Sequence, residues 1–248
     1  IDETVLSLKR ADENYFRGKY DINHHEDYLC FDMETFPVEG GEHVAYYIGW
    51  KFRGEYYEAC GKYAAWKFID FLLNCENRTV EETKFTCPIF VIAFNGGKFD
   101  FKILLRTLTY EFPDDASINN LVENNNSIIG AMILKKKTTD SPFLLYLRDP
   151  YRFIGSSLDK ACKDFNIGDD IAKTMFPHKL IKSFESVDYF TTLDDLNNPE
   201  NYFEKDAKTV RKSPYTESDL NDVFRDEHGN FSIKSLCQNY LKRDVLAL

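Results

Sequence analysis

The chain has 248 residues, 43% of them hydrophobic and 29% charged, and carries a formal net charge of −10 at pH 7. That length and apolar content suffice to bury a sizeable core as one large domain, with or without insertions. No apolar run approaches a membrane span and no N-terminal signal segment is visible, which points to a soluble protein, and the acidic balance argues against one that grips long duplex DNA through Lys and Arg. Six cysteines, at positions 30, 60, 75, 87, 162 and 237, form no Cys-x-x-Cys pair and sit mostly in apolar stretches. That is the pattern of reduced core thiols in an intracellular setting.

In chain order, Thr4 to Phe16 has helical character, and residues 1–27 read as a helical lead-in to the first strand, Tyr28 to Glu34. Val44 to Phe52 and Glu55 to Cys60 are predicted to form a hairpin turning at Arg53-Gly54. Tyr63 to Leu73 is predicted as an aromatic-rich helix. The apolar run Pro88 to Phe94 is a strand, Gly96 and Gly97 a turn, and Phe99 to Leu108 has helical apolar spacing. Ser127 to Leu134 and Phe143 to Asp149 are further strands. Residues 28–248 are taken as one domain, with a polar, acidic, Asn-rich insertion at about 179–230 that holds one or two short helices. Ser232 to Leu248 reads as a closing helix, and there are no internal repeats. The whole is an α/β pattern of a mixed sheet covered by helices.

Three short motifs carry the chemistry. Asp32 and Glu34 are two apart on the first strand, so period two puts both carboxylates on one face, where they can share a metal. Asp100 opens a helix just after Asn95-Gly96-Gly97-Lys98-Phe99, where a backbone must bend sharply and a substrate can come close. Tyr240 and Asp244 are one helical turn apart and project from one face. Each motif alone is ordinarily a solvated edge or a turn. Together they place carboxylates beside apolar runs, where burial is costly unless a cation or partner neutralises them. Four carboxylates can hold two divalent cations, Mg²⁺ or Mn²⁺, and a phenol one turn from the last can orient a water.

In this order the motifs Asp-x-Glu, Asn-x-x-x-Phe-Asp and Tyr-x-x-x-Asp resemble the three exonuclease motifs of family B DNA polymerases. The wording Asn-Gly-Gly-Lys-Phe-Asp is most similar to the protein-primed branch, which serves bacteriophages, linear plasmids and related mobile elements. Lys173-Thr174-Met175-Phe176 is similar to the Lys-x-x-hydrophobic motif of that branch. The resemblance implies an RNase H-like fold and a 3′-5′ proofreading exonuclease acting on single-stranded DNA with two divalent metals. Asp32, Glu34, Asp100 and Asp244 would be the metal ligands, Tyr240 would orient the attacking water, and Lys173 would contact the phosphate. Thr35, Asn95 and Phe99 would hold the strand, Phe99 by stacking on a terminal base. The Ser156 to Phe165 stretch is similar to the helix that follows in the family. A departure falls at Pro150 and Tyr151, where the family has Ser or Thr followed by Leu. None of the five histidines precedes Asp244 by five residues, which implies the tyrosine subclass, and His178 beside Pro177 reads as a loop residue satisfied by backbone.

No palm signature follows Asp244, so this chain by itself is not expected to synthesise DNA. Its expected partners are a 3′ end of single-stranded DNA and a polymerase domain or larger assembly, with no membrane. A different reading makes it a polymerase remnant kept as a structural or nucleic-acid-binding subunit. The abundance of Asn, Lys, Phe and Tyr leaves mitochondrial, plasmid and viral origins open.

Overall fold

The structure, a computed structural model, describes residues 28–76, 79–80, 85–86, 88–135, 144–166 and 175–248. The expected helix at Thr4 to Phe16 and the residues Lys173 and Thr174 lie outside them. β1 (Tyr28–Pro37), β2 (His43–Phe52) and β3 (Glu55–Cys60) form an antiparallel meander. Its second turn is at the expected Arg53-Gly54, both residues at positive φ (50° and 87°), as a two-residue hairpin turn with right-handed strand twist requires. α1 (Ala64–Asn74) follows, then a short pair, β4 (Thr79–Val80) and β5 (Phe85–Thr86). β6 (Ile89–Ile92) leads through the Asn95–Phe99 turn into α2 (Asp100–Glu111). β7 (Ala116–Asn124) and β8 (Ser127–Lys135) form a hairpin, and β9 (Leu144–Arg148) follows.

The main sheet has the order β3-β2-β1-β6-β9-β8-β7. β1, β6 and β9 run parallel at its centre, with β2 and β8 antiparallel on either side. An antiparallel meander followed by two parallel strands added beyond the first, with helices on both faces, is the RNase H-like arrangement. β7 was not expected from the sequence. It is an edge strand in which Ala116 alone is buried and residues 120–124 are exposed, so it lacks the alternation that marks a half-buried strand.

Apolar residues of β1 point to α1 and α2: Phe31, 0% exposed, packs its ring 4.8 Å from that of Phe68 and 6.1 Å from that of Phe101. Each such buried ring contributes on the order of 2 kcal/mol. The opposite core gathers Tyr46, Phe176, Val187, Leu196, Phe231, Cys237 and Leu241. Its outer layer comes from the segment after α3 (Tyr151–Ile154) and α4 (Leu158–Asp164), whose described residues contain β10 (Phe190–Thr191), α5 (Leu193–Leu196), α6 (Glu204–Lys212) and four 3₁₀ turns. β11 (Phe231–Ser232) and α7 (Ile233–Leu246) close the chain, with Ser232 capping α7 through the Ser235 amide. The described cysteines are free, and burial pushes the Cys30 thiol up to about 11, as suits an inert core thiol. Among the described residues no helix is long and apolar enough to cross a membrane.

Candidate active site

In the β1–β2 ladder Asp32 lies opposite Gly49 and Glu34 opposite Tyr47, and the register shifts directly after Glu34. Directly opposed residues share a face, so the space above Gly49 adjoins Asp32. A Cβ on Gly49 would stand 2.6 Å from the Tyr56 hydroxyl and 3.1 Å from Leu241 Cδ2. Glycine is needed here for close approach: it lets α7 settle on the sheet, and α7 carries Tyr240 and Asp244. Nothing in the local sequence pattern marks that role.

Glu34, Asp100 and Asp244 are 7%, 7% and 5% exposed. Asp100 opens α2, where the helix dipole favours an anion. Burial nevertheless pushes its carboxyl up to about 7, with the Glu34 and Asp149 charges adding, while its own amide and that of Met33 oppose the rise. Burial likewise drives the Tyr240 phenol far above its usual range, followed by the Glu34, Asp244 and Asp32 charges. The phenol is therefore a donor at any working pH. The three expected motifs thus meet electrostatically: Asp100 senses Glu34, and Tyr240 senses Glu34, Asp244 and Asp32.

His178 belongs to this group. Its Nδ1 is 3.2 Å from Glu34 Oε2, and its ring meets Tyr240 edge-on at 5.6 Å and stacks on Phe203 at 5.4 Å. Its expected role as a loop residue satisfied by backbone is corrected: the side chain is what engages. Phe176, also in the segment after Lys173, lies 5.5 Å from the Tyr240 ring.

Thr35 Oγ1 is 3.0 Å from His43 Nδ1, and the His43 ring meets Phe99 edge-on at 5.0 Å. Arg106 of α2 donates to the His43 carbonyl at 3.1 Å and pairs with Glu42. Phe99 remains 49% exposed. Two of the expected strand-holding residues, Thr35 and Phe99, are therefore linked through His43. The third, Asn95, takes the left-handed conformation of the turn, at φ 58°. The two glycines after it do not need positive φ. A Cβ on Gly97 would lie 2.0 Å from the Ile128 carbonyl oxygen, and one on Gly96 2.5 Å from Ala93 Cβ. The close approach expected at this turn is made by β8.

Asp149, 2% exposed, accepts from the turn's backbone. At the departure Pro150-Tyr151 no side-chain hydroxyl is offered at the first position; Tyr151 packs edge-on to Phe94 at 5.8 Å, with the Lys98 ammonium 6.0 Å from its ring. Among the described residues no three His, Cys, Asp or Glu side chains are gathered tightly enough to hold a metal ion. The donor chemistry suits one: the carboxyl oxygens of Glu34, Asp100 and Asp244, which are buried, and of Asp32, which is half-buried, are the ligand type of the hard cations Mg²⁺ and Mn²⁺.

An RNase H-like sheet with acidic groups from its first strand, a helix start and a last helix marks a polymerase-associated region. Residues 87–248, well over half of the chain, match the family of DNA polymerases type B, organellar and viral; the chain belongs to that family. Among solved structures, it is similar to phi29 DNA polymerase complexed with primer-template DNA and incoming nucleotide substrates, at 10% identity and TM-score 0.48, over 89% of this chain and 29% of that one. Phi29 DNA polymerase complexed with single-stranded DNA gives 12% identity and TM-score 0.42, over 56% of this chain and 23% of that one. The chain thus spans less than a third of the length of these polymerases. No curated protein matches it.

Proposed function

We propose that this chain is a metal-dependent 3′-5′ exonuclease domain of a protein-primed type B DNA polymerase, trimming nucleotides from the 3′ end of single-stranded DNA. The observation that carries the reading is the electrostatic meeting of Asp32, Glu34, Asp100, Tyr240 and Asp244, drawn from a strand, a helix start and a distant helix. Asp32, Glu34 and Asp244 would hold one divalent cation, and Asp32 and Asp100 a second. Such ions supply an activated water and neutralise charge on the leaving 3′ oxygen. Tyr240, fixed in its neutral form, donates its proton toward an oxygen beside the carboxylates and so orients the attacking water. Phe99 presents an exposed face on which a terminal base can stack, a contact tolerant of sequence. Thr35 and Asn95 offer hydrogen bonds to the last nucleotides, and Lys173 is assigned to the phosphate. A polymerase domain would be the natural partner, supplying the duplex grip that a net charge of −10 denies this chain.

The test is digestion of 3′-labelled single-stranded DNA and RNA with Mg²⁺ or Mn²⁺, with Asp32→Ala as control. Stepwise release of nucleoside 5′-monophosphates, absent in the variant, is the expected result and identifies the substrate. A folded protein inactive with both metals overturns the reading.

A further inference from the structure

Asp149 lies just after β9, outside all three motifs, yet it holds the second one. Its Oδ1 accepts the backbone N–H of Asn95 at 2.7 Å and of Tyr151 at 3.0 Å, and its Oδ2 accepts that of Gly97 at 3.2 Å. A buried carboxylate is costly unless hydrogen-bonded, and bonds from N–H groups to an anion are stronger than neutral ones. On the other side of the turn, Ile128 N–H donates to the Gly97 carbonyl at 2.8 Å. Gly97 is thus gripped from both sides, and a side chain there would strike the Ile128 carbonyl. Asn95 takes the left-handed conformation at φ 58°, which asparagine tolerates better than most residues, and its N–H is the one Asp149 Oδ1 holds.

We infer that Asp149 is a positioning residue of the exonuclease site: it clamps the Asn95–Gly97 turn, and so fixes where Asn95 and Phe99 meet the strand and where Asp100 faces β1. The inference rests on the function proposed above. Deleting the Asp149 charge also removes an attraction for a nearby cation, so looser Mn²⁺ binding is common to a charge effect and to loss of position. Loss of position is read in faster exchange of the turn's amides together with a higher KM, which a charge effect on the cation alone does not produce.

The experiment compares wild type with Asp149→Asn, which keeps the shape and one acceptor oxygen, and with Asp149→Ala. Four quantities are read: amide hydrogen exchange at residues 95 and 97, the Mn²⁺ concentration for half-saturation of the folded protein, kcat and KM on 3′-labelled single-stranded DNA, and Tm. The expected result for Asp149→Asn is a Tm within a few degrees of wild type, Gly97 exchange at least tenfold faster, and a half-saturating Mn²⁺ concentration and a KM several-fold higher. Unchanged exchange, or faster exchange with an unchanged KM, overturns the inference. Should neither variant fold, the wild type decides: Asn95 and Gly97 amides exchanging at the rate of an unprotected amide overturn it, and strong protection of both supports it. Absence of hydrolysis by the wild type would overturn the exonuclease reading, whereas exchange tests the clamp without turnover.

Discussion

His178 Nδ1 stands 3.2 Å from Glu34 Oε2, joining the polar segment between β9 and α7 to the first strand of the sheet. Glu34 is 7% exposed, so its carboxylate depends on this partner when no cation is bound. His178→Phe keeps the ring contacts with Phe176, Phe203 and Tyr240 and removes the nitrogen. Leaving a buried acceptor without its partner costs about 1–3 kcal/mol. The metal-free variant should melt lower than wild type by that amount, and saturating Mg²⁺ should close most of the gap, because the cation meets the same carboxylate. Thermal melts with and without Mg²⁺ check this; an equal loss in both would remove Glu34 from the ligand set.

Asp100 sets a pH dependence. Its carboxyl is raised by burial from 3.8 to about 7. An acid raised by folding favours the folded state fully below the unfolded value, and that contribution is lost as pH rises through the folded one. The metal-free protein should therefore lose Tm from about pH 4 to pH 7, Mg²⁺ should restore it at pH 8, and Asp100→Asn should flatten the profile. A wild-type profile as flat as the variant's would show that Asp100 ionises freely.

Gly49 gives α7 its seat. In Gly49→Ala the new methyl meets the Tyr56 hydroxyl and Leu241, and such overpacking costs about 1–3 kcal/mol. The Tyr56 hydroxyl must move aside and Leu241 must give by a few tenths of an ångström, shifting the helix that carries Tyr240 and Asp244, so kcat should fall several-fold, since catalysis is sensitive to small misplacements. Gly61→Ala is the control: at φ 87° the backbone is strained, but nothing lies within 4 Å of the added Cβ, so stability should fall and kcat should not. Equal kcat effects from the two substitutions would mean that the seat of α7 is not what matters.

The parts of this site that were legible in the sequence are those that local pattern specifies. Period two placed Asp32 and Glu34 on one face, an apolar run and two glycines announced the turn before Asp100, and a helical turn joined Tyr240 to Asp244. What stayed hidden depends on contacts between distant segments. His178 meets Glu34, Asp149 meets Asn95 and Gly97, and Gly49 opens room for Leu241, and none of these pairs leaves a periodic or compositional mark. β7 was missed because an exposed edge strand has no buried face to write into the pattern. Gly96 and Gly97 were found for the right turn, but it is the approach of β8 that Gly97 must accommodate.

Phe99 separates grip on the strand from chemistry. It is 49% exposed and its described ring contact is an edge-on one with His43, so Phe99→Ala should leave Tm within a degree or two. Stacking of a base on an aromatic ring is worth about 1–3 kcal/mol, which corresponds to a rise in KM for single-stranded DNA of roughly fivefold to more than a hundredfold. Phe99→Tyr keeps the stacking face and should restore most of the affinity, while metal half-saturation should be unchanged in both variants, because the ring is not a ligand. Steady-state kinetics across the three proteins decides the matter. A fall in kcat at constant KM would place Phe99 in the alignment of the reacting phosphate instead of in holding the base.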